Sequence, residues 1–207
     1  MKIKICGLTR REDVETALSL GVDALGFILA DSPRKVSLED VSSLVGGLPP
    51  FSSTVAVVAN PSESELEEIV SSRLFDCVQF HGSESPEIVA SVPIKTIKAF
   101  GIASKEDLDE ALSYGGADWL LLDGRVGRAT GGTGRPFDWK MLRGRQIGRP
   151  WILAGGLGPD NLEKAVRTAM PPTVDLNSAL ETAPGIKDGK RMARAVEIVR
   201  VLEGEEL

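Results

Sequence analysis

Trp119-Leu120-Leu121-Leu122-Asp123 is an uninterrupted apolar strand pattern that ends on a carboxylate. Helical patterns flank it near 104–114 and 138–143, and this alternation extends in both directions to the termini. Periodicity predicts further strands near 2–6, 24–29, 54–59, 76–80, 94–99, 150–154 and 173–177. Between them it predicts helices near 10–20, 38–46, 62–72, 84–91 and 159–169, with a last helix at 188–203. Ser37 with Asp40, Ser62 with Glu65, and Ser104 with Asp107 have the spacing of capping boxes. Pro86 and Pro159 suit a first helical turn.

Strands alternating with helices predict a parallel sheet joined by crossovers. Strand starts recur about every 24 residues, near the minimum for one strand–helix unit. One domain over 1–207 that closes into an eightfold α/β barrel fits this count better than an open doubly wound sheet. No Gly-x-Gly-x-x-Gly follows the first strand, which also argues against dinucleotide binding.

The 207 residues carry a formal charge of −6, with 42% hydrophobic and 26% charged side chains. That balance disfavours non-specific nucleic-acid binding, which relies on cationic surface. No apolar run approaches a membrane span, and the first strand replaces the regions expected of a signal peptide. Two cysteines are too few for a disulfide framework, so the expected compartment is the cytoplasm.

Side chains alternate between the two faces of a strand. Lys4 and Cys6 therefore share one face of the first strand, Gln79 and His81 one face of the fourth, and Asp175 and Asn177 one face of the eighth. Polar residues toward the C-terminal ends of barrel strands serve binding or catalysis. Cys6 stands at such an end, before Gly7-Leu8-Thr9, whereas Cys77 lies within an apolar strand and reads as core. A thiol acting as a base needs help to ionise, and the inward-facing Lys4 is one source. Asp123 acting as an acid would need partial burial or nearby negative charge.

Gly155-Gly156 follows the seventh strand and Asn177-Ser178-Ala179 the eighth, the two loops with which barrel enzymes commonly hold phosphate. Gly131-Gly132-Thr133-Gly134, after the sixth strand, reads as a lid that adds Gly132, Thr133 and Gly134 to the anion site. Ser32-Pro33-Arg34 places a guanidinium at the mouth, where it can fork a carboxylate. His81 and Asp175 complete the substrate-binding candidates. A single histidine rules out a zinc site built from several, and no carboxylate spacing singles out a metal cage. Asp23, Asp76 and Asp118 recur where even-numbered strands begin and read as polar turn residues after a helix end. Asp175 lies nearer the far end of its strand.

Together these segments resemble the phosphoribosylanthranilate isomerase family. The resemblance runs through Lys4-Ile5-Cys6-Gly7-Leu8-Thr9, Ala24-Leu25-Gly26-Phe27-Ile28, Ser32-Pro33-Arg34, Val78-Gln79-Phe80-His81-Gly82 and Leu121-Leu122-Asp123. It continues through Gly131-Gly132-Thr133-Gly134, Leu153-Ala154-Gly155-Gly156-Leu157, Val174-Asp175-Leu176-Asn177-Ser178 and Pro184-Gly185-Ile186-Lys187-Asp188. It implies a TIM barrel that performs an Amadori rearrangement without cofactor or metal. Asp123 would be the acid that opens the ribose ring and Cys6 the base at C2′. Arg34 would hold the anthranilate carboxylate, and Asp175 would lie near the substrate amine or hydroxyls. The implied partner is a small phosphorylated substrate, bound by a monomer or homodimer. One departure is Asn177-Ser178-Ala179 where the family usually carries serine-serine-glycine or similar, because alanine restricts close backbone approach.

The alternatives are another phosphate-binding barrel enzyme of the tryptophan or histidine pathways, and a non-catalytic binding barrel. A pentose-phosphate epimerase would need metal-binding histidines. An indoleglycerol-phosphate type lyase would need a catalytic lysine, for which Lys98 is the candidate.

Overall fold

A computed structural model describes residues 1–124 and 138–204. Its strands are β1 (Lys2–Ile5), β2 (Ala24–Ile28), β3 (Ser53–Val58), β4 (Cys77–Phe80), β5 (Lys95–Gly101), β6 (Trp119–Asp123), β7 (Trp151–Ala154) and β8 (Thr173–Leu176). They pair in parallel in sequence order, and β8 returns to β1 with Asp175 opposite Lys4, so the sheet closes into a barrel. The helices are α1 (Arg11–Ser19), α2 (Leu38–Val45), α3 (Glu63–Ser71), α4 (Pro86–Ala90), α5 (Lys105–Ser113), α6 (Leu162–Ala169) and α7 (Gly189–Gly204). All three expected capping boxes form, on α2, α3 and α5, and Pro86 occupies the first turn of α4.

Strand alternation sorts the apolar residues into two layers. Val55, Cys77, Ile97, Ala99, Leu121, Ile152 and Ala154 form one cluster, which packs inside the barrel. Ile3, Ile5, Leu25, Phe27, Val78, Phe80, Leu120, Leu122 and Val174 join the larger cluster between sheet and helices. Cys77 is thus core, as expected, and burial pushes its thiol up to about 12. The same parity sends Lys4, Cys6, Gln79, His81, Asp123, Asp175 and Asn177 to the inside.

The recurring aspartates do more than cap turns. Asp23, Asp76 and Asp118 enter β2, β4 and β6, and each accepts a backbone N–H from the preceding strand. The donors are Ile3 at 2.9 Å, Thr54 at 2.8 Å and Thr96 at 2.9 Å. These carboxylates clamp pairs of strands at the N-terminal rim, opposite the face where sites are built. Asp175 leaves the series and turns inward to Lys4.

Three local expectations are corrected. The segment near 138–143 forms only a 3-10 turn, Trp139–Leu142, because Gly144 stops the chain before a second helical turn can form. Pro159 falls in the turn before α6 and not within its first turn, because Asn161 ties that turn together through Gly158 and Gly156. A short antiparallel hairpin, β9 (Glu181–Ala183) with β10 (Ile186–Lys187), sits beyond β8 where no strand is predicted. Among the described residues, no helix is long and apolar enough to cross a membrane.

Candidate active site

The site begins at the end of β1. The Cys6 amide donates to the Leu176 carbonyl at 2.8 Å, which fixes the strand end against β8, and the residue is 3% exposed. Beneath it Lys4, 1% exposed, reaches Asp175 Oδ1 at 3.0 Å. Both side chains crowd the backbone of Gly26 on β2. A Cβ there would lie 2.7 Å from Cys6 Sγ and 3.1 Å from Lys4 Nζ. Glycine therefore makes the room in which thiol and ammonium meet. Burial pushes the Cys6 thiol above its ordinary value, and Lys4 is the largest opposing influence. Burial also acts against the Lys4 ammonium, but Asp175 and Cys6 overcome it and hold the proton more firmly than usual.

Gly26→Ala is expected to cost about 1–3 kcal/mol through overpacking. It should also lower turnover, because Cys6 Sγ and Cys6 Cα both stand in the way of the new methyl. Urea denaturation and steady-state kinetics on the same variant check both effects.

Asp123 ends β6 on the inner face, and its carbonyl accepts from the Ile102 amide at 2.9 Å. The loop after β7 passes directly over its carboxylate. Gly155 has φ +99°, and a Cβ there would strike the Gly124 amide and lie 2.8 Å from Asp123 Oδ1. His81 follows β4, anchored by its amide to the Val58 carbonyl at 2.8 Å, with Nδ1 3.4 Å from Gln79 Nε2. Burial pulls the imidazole below its ordinary value, while Asp123 and Asp175 pull the other way. Cys6, His81, Asp123 and Asp175 sit at or just beyond the C-terminal ends of β1, β4, β6 and β8 of the closed barrel, and so share one mouth.

Arg34 stands at the rim, but its fork is already filled. Nε donates to Glu181 Oε1 at 2.8 Å and Nη2 to Glu181 Oε2 at 2.6 Å. Lys187 Nζ holds the same carboxylate at 2.9 Å and also donates to Asn177 Oδ1 at 2.8 Å. Burial alone would push the Glu181 carboxyl up, yet Arg34 and Lys187 bring it below the usual carboxylate range. Burial pulls the Lys187 ammonium down, against Glu181. The hairpin β9–β10 therefore supplies Glu181, which holds Arg34, and Lys187, which holds Glu181. Sequence reading missed Glu181 and used Lys187 only as part of a matching segment.

The loops after β7 and β8 lie side by side, with Gly158 against Ala179. Asn161 accepts from the Gly158 amide at 2.9 Å and donates to the Gly156 carbonyl at 3.0 Å, shaping the turn that follows Gly155. Ser178–Leu180 form a 3-10 turn, and Ala179 is not among the residues with positive φ. Its methyl faces Gly158, where a Cβ would approach it to 2.6 Å. Alanine at 179 is thus accommodated because the facing loop carries no side chain there. Gly132, Thr133 and Gly134 lie outside the described residues.

Lys98 is not in this site. It alternates with the inward Ile97 and Ala99, and its ammonium faces the helix layer. It donates to the Gly82 carbonyl at 2.7 Å and to Glu84 Oε2 at 2.9 Å, and lies 5.3 Å from the Phe100 ring centre. The lyase reading loses its lysine. Among the described residues, no group of three or more His, Cys, Asp or Glu could hold a metal ion.

A family model described as N-(5'phosphoribosyl)anthranilate (PRA) isomerase matches residues 3–198. The chain belongs to this family. It is therefore an isomerase of tryptophan biosynthesis. An N-(5'-phosphoribosyl)anthranilate isomerase from Petrotoga mobilis is 46% identical over 204 residues, spanning 98% of this chain and 99% of that protein. One from Nitrosomonas eutropha is 40% identical, with 98% of each chain covered. The crystal structure of the Thermotoga maritima phosphoribosyl anthranilate isomerase superposes with a TM-score of 0.89 at 33% identity, covering 97% of this chain and 99% of that one. A phosphoribosyl anthranilate isomerase in complex with reduced 1-(o-carboxyphenylamino)-1-deoxyribulose 5-phosphate superposes at 0.87 with 32% identity and the same coverage.

Proposed function

We propose that Asp123 is the general acid and Cys6 the general base by which this chain performs its family's reaction. That reaction converts N-(5-phosphoribosyl)anthranilate into 1-(2-carboxyphenylamino)-1-deoxyribulose 5-phosphate. One observation carries the assignment. The barrel interior is an apolar plug, yet at its C-terminal end the inner faces of β1, β4, β6 and β8 lead to Cys6, His81, Asp123 and Asp175. Ionisable groups gathered above such a plug have a chemical use and little packing value.

Asp123 gives its proton to the ribose ring oxygen as the C1′–O bond breaks, and the nitrogen lone pair forms the C1′=N bond of a Schiff base. The Cys6 thiolate takes the C2′ proton, the C–H pair becomes the C1′=C2′ bond, and the nitrogen regains its lone pair. The resulting enolamine tautomerises to the ketone by moving the C2′ hydroxyl proton to C1′. His81 and Asp175 border the sugar. The anion cradle comprises the backbone around Gly155, Gly156, Asn177 and Ala179 with the Ser178 hydroxyl. The reduced product analogue in the related complex carries both the carboxylate and the phosphate that this arrangement would hold.

Arg34 receives the anthranilate carboxylate. With Nε and Nη2 engaged by Glu181, its remaining nitrogen or an exchange with Glu181 makes the contact. Arg34→Ala is expected to raise KM at least about tenfold with a smaller change in kcat, since a charged hydrogen-bond pair contributes about 1.5–3 kcal/mol. An unchanged KM and kcat/KM would remove Arg34 from recognition.

The direct test supplies the purified protein with phosphoribosylanthranilate and follows product against spontaneous hydrolysis of the substrate. Conversion well above that background supports the assignment, and none would sink it. A homodimer is one arrangement open to the chain, since a solved 30% identical structure is of monomers generated from the dimeric Thermotoga maritima enzyme. Two free cysteines favour a reducing compartment such as the cytoplasm.

A further inference from the structure

We infer that Lys4 is a positioning residue for the base: its ammonium, locked in place by Asp175, holds the negative charge of the Cys6 sulfur. The inference rests on reading Cys6 as the base and goes beyond it by naming what makes a buried thiol usable.

Four observations meet here. Lys4 is among the largest fully buried side chains in the protein, so its charge serves no surface. An ammonium has three donors, and one of them reaches Asp175 Oδ1 at 3.0 Å. Sulfur and ammonium flank the same small space beside Gly26, at 2.7 and 3.1 Å from the position a Cβ would take. Each also shifts the other's ionisation, Lys4 drawing the thiol down and Cys6 holding the proton on the ammonium.

A buried Lys–Asp pair is weak as a stabilising device, since apolar residues of similar volume commonly replace such pairs without loss. The plug directly below is built from Val55, Ile97, Leu121 and Ile152, so this barrel had that option. A retained buried cation beside a sulfur is better explained by what it does for the sulfur.

The charged groups around Cys6 come from several elements. Lys4 lies on β1, Asp175 on β8 and Lys187 on β10, while Arg34 approaches from the segment after β2. Glu181 on β9 offsets the last two, because it is bound to both. That leaves Lys4 and Asp175 as the opposed pair with the largest charge influence on the thiol. Lys4 favours the thiolate and Asp175 disfavours it, which gives two substitutions with opposite expected signs.

The experiment titrates the Cys6 thiolate by its ultraviolet absorbance and by the pH dependence of iodoacetamide alkylation. A Cys77→Ala background leaves a single thiol. Lys4→Met is expected to move the midpoint upward and to cut alkylation at fixed pH at least about tenfold, the factor for one pKa unit. The rising limb of kcat should move to higher pH with it, and Lys4→Arg should restore most of both. Asp175→Asn, nearly isosteric, should move the midpoint downward, and it carries the test if Lys4→Met does not fold. A midpoint unmoved by Lys4→Met, or unmoved by Asp175→Asn, overturns the inference. If Cys6→Ser abolishes turnover while the titrations stay unmoved, only the role of Lys4 falls. Near-normal turnover in Cys6→Ser would remove the base assignment itself.

Discussion

Asp123→Asn is expected to lower kcat by roughly 10²–10⁴-fold, the range for a lost general acid, while far-ultraviolet circular dichroism and the urea midpoint stay close to the parent. The amide keeps the size of the carboxyl group but carries no transferable proton, so ring opening loses its donor. The backbone of Asp123 continues to serve the fold, since its carbonyl accepts from Ile102 whatever the side chain is. KM should change little, because Asp123 acts on the ring oxygen and not on the charged ends of the substrate. Near-normal turnover in this variant would pass the acid role to another group at the mouth.

Cys6→Ser is expected to lower kcat by a similar roughly 10²–10⁴-fold, again with the fold intact. Serine fits the space beside Gly26, but an alcohol does not ionise near neutral pH even next to Lys4. The parent enzyme should also show the thiol in its pH profile. Burial raises the Cys6 thiol above its ordinary value, so the thiolate is the minor form at neutral pH. Turnover should therefore rise as pH increases through the mildly alkaline range, until thiol ionisation is complete. A flat profile over that range, or a serine variant of ordinary speed, would exclude Cys6 as the base.

Much of this arrangement is legible in the sequence because it is local or periodic. A strand such as Trp119–Asp123 announces both its burial and its terminal carboxylate. Serine–acid pairs three apart announce the starts of α2, α3 and α5. Strand parity alone puts Lys4 with Cys6 and Asp175 with Asn177 on one face, and closure of β8 onto β1 then brings Lys4 to Asp175. The reading of Cys77 as core follows from its place in an apolar strand.

What escapes the sequence depends on chain closure. Glu181 reads as a solvated acidic residue after a strand, and only the barrel seam brings it to Arg34, 147 positions earlier. Lys187 is hidden for the same reason, since a two-residue strand has too little periodicity to detect. The face taken by Lys98 also escapes, because strand position does not reveal it until Ile97 and Ala99 are seen inside. The aspartates at 23, 76 and 118 gave a true regularity, yet their role as strand clamps needs the neighbouring strand's N–H groups, which the sequence does not locate. Ala179 looked like an obstacle because its partner across the loop, Gly158, lies in another strand–helix unit.

The most direct measurement is a crystal structure of this enzyme with the reduced product analogue bound. Cys6 Sγ should touch the sugar at C2′ while the Asp123 carboxyl group faces the oxygen released from the ring, with the phosphate between the loops after β7 and β8. A complex in which only one of the two side chains reaches the sugar, or in which the phosphate lies elsewhere, would contradict a mechanism shared between them.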